Sequence, residues 1–381
     1  MTAKQLFKAF ILIVSSALLF SCNQDPIFYN ISNETAPAES LIPGIPSNFA
    51  EYGGGLYLSN RANIWTLNGT DWERVSVAGM QAGSSIEELV SDSTNLYARV
   101  VWDEGFVNLQ TYNKVYRLTG SGAGLTATAI TNNLAADYPL INRISMANGT
   151  LVASVKRRGI SGGIRYVYLV GDTLSAFGGT TDLPEGSAIV ATAWGGRNYF
   201  FATGRGVYYS NSFDGEAPTL LAGTTDEISG IRAFGTSLLA WGHNENIYRI
   251  TDGETPAITV INMGSRLEMA NTIYDNGTFI ALLITYNYSA TANGYRELAL
   301  NTDRSLPDSF SLATPGEADE SSTIDEAQYS SSMGRYLVYG LKQWDIGTHN
   351  VLFAGTEMGL YYSVDRGNWK IWSSGTHSEF N

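Results

Sequence analysis

Hydrophobic and polar positions in this chain follow one phrase, written seven times. An apolar pair or triplet is followed by a polar or Gly-rich gap, then by a β-prone run carrying an aromatic residue. The clearest copies are Tyr199-Phe200-Phe201-Ala202 with Gly206-Val207-Tyr208-Tyr209-Ser210, and Val351-Leu352-Phe353-Ala354 with Gly359-Leu360-Tyr361-Tyr362-Ser363. One such unit cannot bury its own apolar face and must stack on its neighbours. Each unit reads as four strands. Tight-turn pairs such as Asn148-Gly149, Gly235-Thr236 and Asn276-Gly277 separate the first strand from the second. A fourth, more polar strand closes the unit, as in Trp72-Glu73-Arg74-Val75 or Trp369-Lys370-Ile371-Trp372.

The second strands begin at Leu56, Leu96, Leu151, Tyr199, Leu238, Phe279 and Val351, which is 40, 55, 48, 39, 41 and 72 residues apart. Four-stranded propeller blades recur about every 40–50 residues. The spacing therefore predicts an all-β chain, a seven-bladed β-propeller of four-stranded antiparallel blades over residues 48–381. Rings of six or eight blades stay open as alternatives, since a diverged unit is easily missed or counted twice. A pair of β-sandwiches fits the single recurring unit less well. Both ends hold a full set of four strands, so the ring is expected to close without a strand borrowed from the other terminus. The sixth unit is the weakest copy, and an insertion from about Asn301 to Met333 precedes the seventh.

Composition agrees with this class. Hydrophobic residues make up 44% and charged residues 15%, which suits a folded chain rather than a disordered one. The N-terminus breaks the pattern. Lys4 and Lys8 flank the start of an apolar run of 12 residues, Ala9 to Phe20, too short to span a bilayer as a helix. It ends in Leu19-Phe20-Ser21-Cys22. This end resembles the bacterial lipoprotein signal, in which an apolar and a small residue precede a cysteine; Phe20 is larger than is usual before the small residue. The resemblance implies a signal peptide over residues 1–21 and a lipid on Cys22, which is the only cysteine in the chain. Residues 22–47 hold Pro26, Pro37, Pro43 and Pro46 among Asn, Ser and Glu, and read as a lipid-anchored, flexible tether.

Charge narrows the partners. The chain carries 23 basic and 36 acidic residues, a net −13; without Lys4 and Lys8 the balance is 21 against 36, or −15. Such acidity argues against nucleic acid or an anionic membrane surface as a partner. The lipid would hold the protein to the membrane. The expected address is the bacterial cell envelope, and Asn23 in place of Asp favours the outer membrane or cell surface over the inner membrane. A monomer is expected.

Ser363-Val364-Asp365-Arg366-Gly367-Asn368-Trp369 resembles the Asp-box of sialidase-like propellers, Ser-x-Asp-x-Gly-x-Thr-Trp, shortened by one residue before Trp369. The resemblance implies a structural turn between third and fourth strands, built by Ser363, Asp365, Gly367 and Trp369, and no activity. Sialidase chemistry would need an arginine triad, a Tyr–Glu nucleophile pair and an acid Asp. The arginines do not fall in matching units, and the family's Arg-Ile-Pro signature near the start is missing. Taken whole, the chain resembles lipid-anchored bacterial propellers.

Few residues suggest chemistry. His243, His349 and His377 have no neighbour at metal-ligand spacing and read as turn and tail residues. No phosphate loop, nucleophile elbow or dinucleotide fingerprint occurs. No metal, cofactor or catalytic residue is therefore assigned. The acidic stretch Glu317-Ala318-Asp319-Glu320 with Asp325-Glu326 lacks the alternation of a calcium loop and reads as solvated.

Recognition is sought where the repeat is irregular. The loops between second and third strands are long in units two, three and six, and carry Trp102, Arg157, Arg158, Tyr286 and Tyr288. Glu88, Arg143 and Asn271 stand on the same face, where first strands begin. Aromatics with Arg dominate binding hot spots. The expected function is a non-enzymatic, protein-binding or assembly module of the envelope. The alternative is a propeller that binds or hydrolyses glycans.

Overall fold

Side chains alternate across a strand, so adjacent apolar residues must serve opposite faces. In the strand Gly55–Ser59, Leu56 and Leu58 enter one core while Tyr57 enters another. In His349–Thr356, Val351 and Phe353 lie in one core and Leu352 and Ala354 in a second. The apolar pair of each phrase is thus the mark of a sheet covered on both faces.

The computed structural model describes residues 39–105, 110–133, 140–156, 164–176, 189–202, 206–211, 218–221, 228–234, 237–242, 246–251, 253, 255–262, 266–269, 279–286, 295–299, 301, 312–313, 337–366, 368–373, 377 and 380. The signal-like run, Cys22 and the acidic stretch 317–326 lie outside them. Ser40–Asn381 form one compact unit. No described helix is long and apolar enough to cross a membrane.

The described strands form small sheets in chain order, each built on four antiparallel strands that are consecutive in sequence. Their first strands are Asn48–Tyr52, Ser85–Ser91, Leu140–Ala147, Ile189–Trp194, Ile228–Phe234, Arg266–Met269 and Val338–Ile346. Apolar cores join neighbouring sheets. Ala50, Tyr57 and Ile64 of the first sheet pack with Ile86, Leu96 and Val100 of the second. Tyr97 and Val115 of the second pack with Ile144 and Leu151 of the third. Tyr199 and Val207 of the fourth sheet meet Leu238 and Tyr248 of the fifth. Val351, Phe353 and Leu360 of the last sheet share a core with Leu56, Leu58 and Trp72 of the first. Sheets stacked in sequence, last against first, make a β-propeller.

Two sheets depart from the expected four strands. Ser76–Ala78 leaves the first sheet and runs parallel to Gly124–Ala129 at the edge of the second. Thr131–Asn132 leaves the second sheet and runs parallel to Thr173–Ala176 of the third. Each connector covers an edge that would otherwise expose unpaired backbone groups. A buried apolar residue precedes or follows these connectors in a repeated way. The amides of Val75, Ile130, Leu221 and Trp372 donate to the carbonyls of Ile64, Val115, Val207 and Leu360, at 2.8–2.9 Å.

The last eight residues that composition assigns to the tether are packed. The Ser40–Ser47 segment crosses the last sheet before the first strand begins. Ile42 is fully buried among Leu58, Phe353 and Trp372. The Leu41 amide donates to the Trp372 carbonyl at 2.8 Å, the Leu360 amide to Ser40 Oγ at 3.0 Å, and Asn60 Nδ2 to the Pro43 carbonyl at 2.7 Å. Lys342 of the last sheet pairs with Glu51 of the first. Closure therefore needs no borrowed strand, but it uses a borrowed segment. Pro43 and Pro46 have no N–H to lose, so a sheet-crossing path suits them.

Gly355 makes room for this path. A Cβ there would stand 1.6 Å from the Pro46 carbonyl oxygen. Gly355→Ala should therefore displace the crossing segment and cost about 1–3 kcal/mol, the usual range for overpacking. Gly124→Ala, at a site with open space around the new Cβ, should change stability by about 0.5 kcal/mol or less. Urea unfolding of both variants checks this; equal effects would contradict the packing of residues 40–47.

Candidate functional site

Five of the described first strands pair irregularly with their second strands, and in four of them the extra residue lies in the first strand, near its start. The register slips by one residue between Ile86 and Glu88, Ile141 and Arg143, Ile228 and Gly230, and Val338 and Gly340. Each slip is a β-bulge, which frees backbone groups and re-aims the next side chain. The preceding sheet meets those groups. Asn48 Nδ2 donates to the Glu87 carbonyl at 3.2 Å and Ser59 Oγ to the Ile86 carbonyl at 3.4 Å. Asn113 grips Ile141 on both sides, donating to its carbonyl at 2.9 Å and accepting from its amide at 3.0 Å.

The residue after the bulge is charged in two sheets and glycine in two. In the second and third sheets it is Glu88 and Arg143, and these two meet. Arg143 Nε donates to Glu88 Oε1 at 3.0 Å, and Arg99 Nε donates to Glu88 Oε2 at 2.8 Å. The Ile144 amide also donates to Oε2, at 2.8 Å. Both carboxylate oxygens are therefore engaged. The Glu88 and Arg99 side chains are 12% and 13% exposed, whereas Arg143 is 41% exposed. In the fifth sheet the position is Gly230, and the Trp241 ring fills the space, 2.0 Å from where a Cβ would sit. In the last sheet it is Gly340, and the Ser47 carbonyl fills the space.

Beside the Glu88–Arg143 pair lies a pocket of about 330 Å³ between the first strands of four sheets. Its charged lining is Glu88, Arg143 and Arg232, with Asn48, Ser91 and Ser145 as polar neighbours and Val90, Ile144 and Met146 as apolar ones. Glu88 accepts three hydrogen bonds, about three quarters of what a carboxylate can take, and so holds the Arg143 guanidinium in place. Among the described residues no group of three or more His, Cys, Asp or Glu is placed to hold a metal. Burial pushes the Tyr57 hydroxyl up, opposed by its hydrogen bond to Thr66, raised further by Tyr52, and opposed again by the Gly122 carbonyl. Tyr57 belongs to the core between the first two sheets.

The other sequence candidates divide. Trp102 is not in a loop. The strands Leu96–Glu104 and Gln110–Ser121 carry their pairing past it, Trp102 opposite Tyr112. The two rings stack at 5.8 Å and 19°, Trp102 Nε1 donates to Glu104 at 2.8 Å, and Thr111 Oγ1 donates to Asp103 at 2.7 Å. The ring stack and the Thr111–Asp103 bond cross between the strands and hold the hairpin extended where the polar sequence reads as loop. Arg157, Arg158, Asn271, Tyr288 and Gly367 lie outside the described residues, and Tyr286 is described only as the end of the strand Phe279–Tyr286. Arg99 and Arg232 were not singled out by the sequence. Arg99 is legible only through register, since it stands opposite Glu88.

The Asp-box-like stretch forms a tight turn after Gly359–Ser363. Asp365 Oδ1 accepts from Ser363 Oγ at 2.9 Å and from the Asn368 amide at 2.8 Å, and Arg366 has φ 66°. Trp369 Nε1 donates to the Arg366 carbonyl at 2.9 Å, and its ring meets Tyr295 edge-on at 6.0 Å. His377 is no loose tail residue: it is buried, 3.8 Å from the Trp372 ring centre. His243 lies outside the described residues.

No protein-family model matches the chain, and no curated protein matches it in sequence. Solved structures do. A prolyl endopeptidase structure matches with TM-score 0.55 and 13% identity, over 98% of this chain and 54% of that one. Virginiamycin B lyase from Staphylococcus aureus matches with TM-score 0.50 and 13% identity, over 83% of this chain and 93% of that one. Sqt1 from Saccharomyces cerevisiae matches with TM-score 0.50 and 13% identity, over 88% and 87%. At such identities the likeness carries the fold alone, and that fold is the β-propeller.

The Glu88 arrangement sets an order of stabilities. Glu88→Gln removes the charge that compensates the mostly buried Arg99 side chain and should cost about 3 kcal/mol, at the low end for a broken buried pair. Arg143→Gln removes a partly exposed partner and should cost about 1 kcal/mol or less. Urea unfolding of the two variants measures both; equal costs would contradict the site as described.

Proposed function

We propose that this protein is a lipid-anchored module of the bacterial cell envelope that binds another protein at the pocket between its first strands. In this reading each sheet is one blade of a closed seven-bladed ring, Cys22 carries the lipid, and the mature chain is a monomer at the outer membrane or cell surface. The observation that carries the binding role is the state of Glu88. Among the described residues it is the one carboxylate lining the pocket, and both its oxygens accept hydrogen bonds, from Arg99, Arg143 and the Ile144 amide. Charged groups do converge there, as a hydrolase would require. A fixed ion network is suited to recognition, and the strands under it lower the ordering cost of binding.

Two measurements test this. Cys22→Ser should abolish palmitate labelling and release the chain from the membrane fraction. The anchored protein, captured from detergent-solubilised envelopes, should bring down a stoichiometric protein partner. Val90→Trp, which adds bulk at the pocket wall, should lose that partner, with circular dichroism showing that the variant is folded. Binding on a glycan array without any protein partner, or capture unchanged by Val90→Trp, would contradict the proposal.

A further inference from the structure

The geometry points to a carboxylate-binding site at Arg143, and we infer that its ligand is an acidic side chain on an extended segment of the protein partner. This rests on the reading of the pocket as a binding face and adds the chemistry of what binds.

Charge is the first argument. The chain as a whole is at −13. At the pocket two cations share one carboxylate, since Glu88 pairs with both Arg99 and Arg143, and so the sign is locally reversed. A locally positive concavity on an acidic protein selects an anion at short range and repels broad polyanions at long range. Nucleic acid is disfavoured on that ground.

The second argument is how Arg143 is held. Its Nε bonds Glu88 at 3.0 Å and its backbone amide donates to the buried Ser154 Oγ at 3.1 Å. Glu88 is itself fixed by Arg99 and the Ile144 amide. The guanidinium is therefore anchored through one edge. Guanidinium has five N–H donors in a planar fork, and the Nε contact uses one of them. The terminal Nη groups remain to meet a carboxylate side by side, the geometry in which Arg binds carboxylates most strongly. A pre-positioned fork loses little entropy on binding.

The third argument is size and lining. About 330 Å³ is near the lower end of ligand pockets, which run from roughly 300 to 1,000 Å³. Val90, Ile144 and Met146 supply apolar wall beside the charge. That combination fits a carboxylate on a short aliphatic stem, as in Asp or Glu. A sugar ring would want an exposed aromatic face, and among the described residues the one aromatic in the lining, Phe49, is buried at 7% exposure.

Fluorescence anisotropy on the Cys22→Ser chain tests this with a fluorescein-labelled, C-terminally amidated hexaglutamate peptide. Hexaglutamine and labelled oligogalacturonate serve as the neutral and the carbohydrate comparators. The expected result is saturable binding of hexaglutamate and no binding of hexaglutamine. Arg143→Gln should weaken binding roughly tenfold or more, the loss of a charge-assisted pair. Arg143→Lys, which keeps the charge without the fork, should fall between. Circular dichroism and melting confirm that each variant is folded. Unchanged affinity in Arg143→Gln would overturn the site, and oligogalacturonate bound in preference to the peptide would overturn the ligand class. Failure of hexaglutamate to bind, with Val90→Trp still losing the captured partner, would overturn the carboxylate inference and leave the binding face standing.

Discussion

A sheet with Leu56 and Leu58 on one face and Tyr57 and Ile64 on the other has no face to give to water. It must be covered twice, and a sheet of four strands is too narrow to curl over itself. The only partners of matching width are sheets of the same kind. Once the second sheet covers the first, its own far face, with Tyr97 and Val115, requires a third. The demand passes along the chain until the last sheet, with Val351 and Phe353, meets the face of the first that is still open. Ring closure is thus the end of a chain of apolar debts, and it is sealed by Ile42 and its neighbours lying across the seam.

The same stacking creates the site. A bulge at the start of a first strand opens a position between neighbouring sheets. Four sheets have it, and each fills it differently. Glu88 and Arg143 fill two with charge, Trp241 fills the space beside Gly230 with a ring, and Ser47 fills the space beside Gly340 with passing backbone. The scaffold is uniform and the contents are not: of these four bulges, those in the second and third sheets carry charge. The long hairpin bearing Trp102 and Tyr112 belongs to the second sheet, and its Asn113 holds the third sheet's bulge, which couples that hairpin to the same place.

Much of this was legible in the sequence, and the gaps have physical causes. Apolar pairs and Tyr-bearing third strands located the sheets because period-two burial on both faces leaves a continuous apolar run. Glu88 and Arg143 were visible as charges at strand starts. Their contact with each other, and with Arg99, was not, because register is shifted by a bulge that no local residue announces. The hairpin at Trp102 reads as loop because its stability comes from cross-strand ring stacking and side-chain bonds rather than from β-propensity. Ser76–Ala78 and Thr131–Asn132 were missed because they are short, polar and paired to the next unit. Residues 40–47 read as tether because proline-rich composition says nothing of the glycine-lined path that receives it.

A ring left open at the seam would leave the first sheet half bare and its bulge contacts to the second sheet unsupported. Native-state hydrogen exchange addresses this directly. The amides of Leu41, Leu56–Leu58 and Val351–Phe353 should exchange through one common opening, with equal free energies that respond equally to urea. Early exchange of Leu41 and the last sheet, while the first sheet stays protected, would contradict it.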